Sequence, residues 1–127
     1  MRVRLETDAF LLILNNVESH TLELAVSPTH WFEIAANPNQ EARQHVESLL
    51  REHGVIVSVE VSKIRLRAEQ LYATEFGPAD AAHVAYAEAM EADFISVDDK
   101  LLRGCHRSNI RVWCGSPAAF CDKENLR

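Results

Sequence analysis

Each of the four prolines in this chain directly follows a residue that caps or breaks helices: Ser27-Pro28, Asn37-Pro38, Gly77-Pro78 and Ser116-Pro117. Proline has no N–H to donate and its φ already suits a first helical turn, so a cap followed by proline marks a helix start. Between these marks lie short runs of strand character. Residues 22–27 (LELAVS) alternate apolar and polar, and 55–59 (VIVSV) are β-branched. Residues 93–97 (DFISV) end at Asp98-Asp99, and 110–114 (IRVWC) precede the last mark. The helix after Pro28 carries Trp31, Phe32, Glu33 and Ile34. The next has an apolar stripe of Ala42, Val46, Leu49 and Leu50, with Gly54 to end it. Residues 62–76 form a helix with Ile64, Ala68, Leu71 and Tyr72 on one face, and Pro78 opens an alanine-rich one. A short helical stretch runs to Arg103, and a final helix holds Ala118, Ala119 and Phe120. Alternating strands and helices predict the α/β class, with a mainly parallel central sheet covered by helices.

A length of 127 residues suits a single domain, spanning 1–127, and 47% hydrophobic with 25% charged residues suits a buried core. No repeat, low-complexity tract or linker interrupts it. The balance is acidic, with 13 Lys and Arg against 19 Asp and Glu. That argues against a protein that grips nucleic acid by a broad basic surface, but not against one that meets phosphates through metal ions. Basic residues gather at Lys63, Arg65 and Arg67 and at Lys100, Arg103, His106, Arg107 and Arg111, which read most simply as solvated faces and helix ends. Cys105, Cys114 and Cys121 are odd in number and lack CxxC spacing, which points to a reducing compartment without disulfides or structural zinc. No apolar run approaches the roughly 20 residues of a membrane span, and the N-terminus, with two acidic residues among its first eight, is unlike a targeting peptide. The expectation is a cytoplasmic protein that does not enter membranes.

Three acids fall where an open parallel sheet places its chemistry. Asp98 ends a strand, at the carboxyl edge where ligands bind. Asp80 lies in the first turn of the helix opened by Pro78, where the helix dipole favours negative charge. Glu33 stands among Trp31, Phe32 and Ile34, a setting that predicts partial burial and the need for a partner or a metal. Each has an ordinary explanation when taken singly: a helix-start acid for Asp80, a turn or N-cap pair for Asp98-Asp99, a solvated face for Glu33. Their shared end of one sheet gives them weight. An all-oxygen set suits Mg²⁺ or Mn²⁺, and such ions activate water against a phosphodiester. His83, one turn after Asp80, reads as a helix-surface residue and not as a general base. No glycine-rich phosphate loop or nucleophile elbow supports other chemistry.

The stretch GPADAAHVAYAEAMEADFISVDDKLLR resembles the signature of PIN domains: an Asp opening an alanine-rich helix, an Ala-Asp-Phe strand, then Asp-Asp-Lys-Leu-Leu. SPTHWFEIAANP resembles the second acidic helix of that family, and IRVWCGSPAAF its closing strand and helix. The resemblance covers roughly residues 2–120 and is most specific between Asp80 and Asp98. It implies a three-layer fold and a metal-dependent ribonuclease of the kind that includes VapC-like toxins. It implies Glu33, Asp80 and Asp98 as catalytic and metal-site acids, Asp99 as a neighbour or substitute ligand, Mg²⁺ or Mn²⁺ as cofactor, and RNA and an antitoxin protein as partners.

The chain departs from the pattern at its start, where PIN domains carry a strand ending in Asp. Residues 2–8 (RVRLETD) can be set onto that strand with Glu6 or Asp8 standing in. RVRLETDAFLLILNNVES reads better as a helix, with Leu5, Ala9, Leu12 and Ile13 on one face. It then resembles the helix that precedes the second strand in one PIN subgroup. The central strand and its acid are then absent, and the unpaired edges need filling or covering. A misplaced start at Met1, a degenerate gene copy or pairing with another chain would account for this. An element exchanged within a homodimer is the form of pairing to look for first. Two other readings stand beside the ribonuclease: an inactive PIN-like module acting through protein contacts, and a different Mg²⁺ enzyme such as a phosphatase, which lacks a convincing nucleophile here.

Overall fold

The computed structural model describes residues 2–74 and 76–127, with side chains from Leu5 onward. Helices and strands alternate: α1 (Arg2–Glu18), β1 (Leu24–Val26), α2 (Pro28–Ala36), α3 (Gln40–His53), β2 (Gly54–Ile56), α4 (Val61–Tyr72), α5 (Pro78–Ala89), β3 (Phe94–Ile95), α6 (Asp99–Arg107), β4 (Cys114–Gly115) and α7 (Pro117–Glu124). The molecule is mixed α/β, and no helix among the described residues is long and apolar enough to cross a membrane.

The helix starts follow the local capping chemistry. Ser116 accepts from the Ala119 N–H at 3.1 Å, with Pro117 in the first turn of α7. Gly77-Pro78 opens α5 as expected. Asn37-Pro38 only ends α2, and the cap of α3 is Asn39, whose Oδ1 accepts from the Ala42 N–H at 3.0 Å. The helix expected over 62–76 ends at Tyr72, and Glu75, within the expected span, lies outside the described residues. The stretch expected to stop at Arg103 continues to Arg107.

The N-terminal residues are helical, so the strand alternative for residues 2–8 is overturned. Ala9, Ile13 and Val17, spaced four apart, are buried with Phe120 and Cys121 of α7, while Leu5 stays exposed. Glu6 serves the same packing: its Oε1 accepts from the Ala118 N–H at 3.2 Å, where the free amides and dipole of α7 favour an anion.

The strands differ most from expectation. Among the described residues there is no single sheet, but two parallel pairs, β1 with β2 and β3 with β4. Each strand is two or three residues long, because a ladder lasts only while its partner runs alongside. In β2, Ile56 is 84% exposed, so the buried strand expected at 55–59 is uncovered. α3 buries none of its stripe fully, and Val46 is exposed.

Two apolar clusters flank the strands. One joins Ile64 and Leu71 of α4, Ala81, Val84 and Ala85 of α5, and Leu101 and Cys105 of α6, with Phe94 packed against it. The other is the α1–α7 cluster, against which Leu24 and Ile95 pack. Adjacent residues Phe94 and Ile95 thus face opposite sides, as the two-residue strand period requires. The three cysteines are free thiols buried in these clusters. Gly54 fits where α3 turns into β2 because a Cβ would collide with the Leu50 carbonyl and lie 2.5 Å from Val26 Cγ2. Its φ of −71° is an ordinary one, so close approach and not a left-handed turn calls for glycine.

Candidate metal centre

Residues of α2, which follows β1, of α5 and of the segment after β3 line a cavity of about 290 Å³: His30, Glu33, Asp80, His83, Ser96 and Asp98. Glu33, Asp80 and Asp98 all line this cavity. Asp99, which opens α6, does not line it.

Each acid is held differently. Asp98 is the N-cap of α6: its Oδ1 accepts from the N–H groups of Lys100 at 3.0 Å and Leu101 at 3.2 Å. Its own N–H donates to Ser96 Oγ at 3.1 Å. The capping explanation is therefore correct for one oxygen, and Oδ2 has no bond among the described residues. Glu33 is 54% exposed, which overturns the expected burial: the neighbouring Phe32 is itself exposed and gives no cover. Its Oε1 pairs with His83 Nε2 at 2.8 Å. Asp80 has neither a hydrogen bond nor an ion pair among the described residues. Burial first, then the negative charge of Asp98, raise its pKa above the ordinary carboxylate value; His83 opposes the rise and Glu33 adds to it. Like charges this close disfavour simultaneous ionisation, a condition that a bound cation relieves.

The histidines are the site residues that sequence reasoning missed. His83 is only 10% exposed, not a surface residue, and its ring lies 4.9 Å from that of His30. His30 Nδ1 accepts the Ser27 N–H at 2.9 Å, which leaves any proton of the neutral ring on Nε2. Burial first, then His83, lower the His30 pKa. The signal was available: His30 precedes Glu33 by three residues and His83 follows Asp80 by three, spacings that put each pair on one helix face.

Among the described residues, no three His, Cys, Asp or Glu side chains already stand at metal-ligating spacing. In donor chemistry the acids suit a hard divalent cation, since each retains an oxygen outside its hydrogen bonds. The basic groups divide. Arg67 forms a fork with Glu88, Nε to Oε1 at 2.7 Å and Nη2 to Oε2 at 3.1 Å, and also donates to the Asn109 carbonyl. It holds α4 to α5, so it is a structural residue and not a guide for a nucleic acid. Arg65, Lys100, Arg103 and Arg111 remain exposed.

Compared with known proteins, the chain matches no protein family, no curated protein and no solved structure.

Proposed function

We propose that the protein is a Mg²⁺- or Mn²⁺-dependent ribonuclease of PIN type, with Glu33, Asp80 and Asp98 as its catalytic and metal-holding acids. The observation that carries this reading is the shared cavity, in which burial first, and then the negative charges of Asp98 and Glu33, raise the Asp80 pKa. Bound there, the cation supplies Lewis-acid activation and charge neutralisation at an RNA phosphodiester. The chain's own part is to hold the acids: Asp98 by its cap, Glu33 by His83, and Asp80 at the start of α5. Arg65, Lys100 and Arg103 are exposed charges available to the RNA backbone. The same reading carries the finer fold, a three-layer PIN-like arrangement, and the finer role, a VapC-like toxin paired with an antitoxin protein. The test is Mn²⁺-dependent cleavage of end-labelled RNA: Asp80→Asn and Asp98→Asn lose it, and cleavage unchanged in both ends the proposal.

A second reading, an inactive module working through protein contacts, is favoured by one observation. The acids are partly engaged by the protein itself, Glu33 with His83 and Asp98 with the start of α6. Calorimetry separates the two, since an inactive module takes up no Mn²⁺ while remaining folded.

A further inference from the structure

Three carboxylates line the cavity of Glu33, Asp80 and Asp98, and no Lys or Arg among the described residues does. A phosphodiester that enters carries two non-bridging oxygens. The cation takes one of them. The other needs a donor from the wall, because it leaves behind its hydrogen bonds to water. A Lys or Arg in such a place would pair with the acids and compete with the cation, whereas an uncharged N–H stays free.

Three side chains of the wall carry a proton to give. His83 Nε2 lies 2.8 Å from Glu33 Oε1 and is engaged there. Ser96 Oγ accepts from the Asp98 N–H at 3.1 Å, and its hydroxyl proton rotates to suit its surroundings. His30 is fixed. Its Nδ1 accepts from the Ser27 N–H at 2.9 Å, as part of the capping box that opens α2. An accepting Nδ1 leaves the ring uncharged, with its one proton on Nε2. Burial first, then the neighbouring His83, lower the His30 pKa and so favour that form. The His83 ring packs beside it at 4.9 Å. The bonds of His30 among the described residues, to the Ser27 N–H and hydroxyl, are both made by Nδ1, and Nε2 has none.

We infer that His30 is a substrate-positioning residue of this site, whose Nε2–H donates to a non-bridging oxygen of the RNA phosphodiester. The inference rests on the ribonuclease reading and adds to it a contact that none of the acids can make, since an ionised carboxylate only accepts. The backbone bond to Nδ1 orients the ring before substrate arrives, so little side-chain freedom remains to be lost on binding. One imidazole thus starts α2 with one nitrogen and meets the substrate with the other.

The test is single-turnover cleavage of end-labelled RNA in Mn²⁺ across a range of protein concentrations, which gives a half-saturating concentration and a maximal rate. His30→Asn keeps an oxygen in the place of Nδ1 for the Ser27 N–H but has no atom in that of Nε2. It is expected to raise the half-saturating concentration about tenfold. His30→Gln, whose longer amide both accepts and donates, recovers most of that loss. Sulfur in place of one non-bridging oxygen at the mapped cleavage position is a poor acceptor. In one of the two diastereomers it weakens the unaltered chain by about the same factor, and it costs His30→Asn nothing further because the bond is already gone. A purely structural His30 produces no such stereospecific non-additivity. Equal half-saturation in His30→Asn, or additive losses with sulfur, overturns the inference and leaves the ribonuclease reading standing. So does weaker Mn²⁺ uptake by His30→Asn in electron paramagnetic resonance, which assigns its effect to the cation. Should His30→Asn fail to fold, the unaltered chain decides alone: equal half-saturation with both diastereomers and the all-oxygen RNA overturns the inference. RNA left uncut by the unaltered chain overturns both readings.

Discussion

Under the proposed function Asp98 has two duties, capping α6 and holding the cation, and a pair of substitutions separates them. Asp98→Ala deletes the acceptor of two N–H groups, at 3.0 and 3.2 Å, at the start of α6. Loss of such a cap costs about 1 kcal/mol. For 127 residues the unfolding entropy is about 270 cal/mol/K, so 1 kcal/mol lowers Tm by about 4 °C. Asp98→Asn keeps an equally good cap. It gives up a favourable charge at a helix start and also a repulsion with Asp80, so it shifts Tm by about 2 °C or less. In Mn²⁺ at a hundredfold excess over its dissociation constant the unaltered protein gains about 2.7 kcal/mol, or about 10 °C, and both variants lose most of that gain. Thermal melts by circular dichroism with and without Mn²⁺ read all six states. Asp98→Asn melting as low as Asp98→Ala without metal, or keeping the full Mn²⁺ shift, contradicts this division of roles.

Four other outcomes are expected. Arg67→Met leaves Glu88, with its side chain 4% exposed, holding only the Arg111 N–H, and costs about 2–3 kcal/mol in urea denaturation. Burial pushes the Glu88 pKa up, but its bonds from Arg67 and Arg111 bring it below 4.5. The ion pair's contribution is therefore full above pH 4.5 and fades as pH falls through the folded value; a cost that persists in strong acid contradicts it. The raised Asp80 has the opposite sign: the native state holds its proton longer, so stability falls as pH rises from 3.8 through the folded value, and Asp80→Asn removes that fall. His30, lowered from 6.5, withdraws stability as pH drops below 6.5, and urea midpoints at stepped pH check both limbs. Gly54→Ala drives a methyl group onto the Leu50 carbonyl and Val26, costing about 1–3 kcal/mol, and an unchanged midpoint contradicts that collision.

What was legible in the sequence was local. Cap-plus-proline pairs act within one turn of chain, so the starts of α2, α5 and α7 lay where they were expected, and the N-terminal periodicity marked α1 as a helix. Strand pairing joins residues far apart in sequence, and β-branched character at 55–59 cannot report whether a neighbour covers Ile56. The acids of the cavity were readable because strand ends and helix starts position them. Their partners were not. His83 on Glu33 and Glu6 on the start of α7 are contacts that only the packing of separate helices creates. Arg67 appeared as one of a basic cluster because its partner Glu88 lies 21 residues away.

The proposed function requires Glu33, Asp80 and Asp98 to act as one cation site. Electron paramagnetic resonance of unbound Mn²⁺ during titration measures this directly. The unaltered chain is expected to withdraw Mn²⁺ from solution to a saturable plateau that Asp80→Asn, still folded, does not reach. A free-ion signal that climbs in proportion to added Mn²⁺ from the first addition, or an Asp80→Asn curve that overlays the unaltered one, contradicts it.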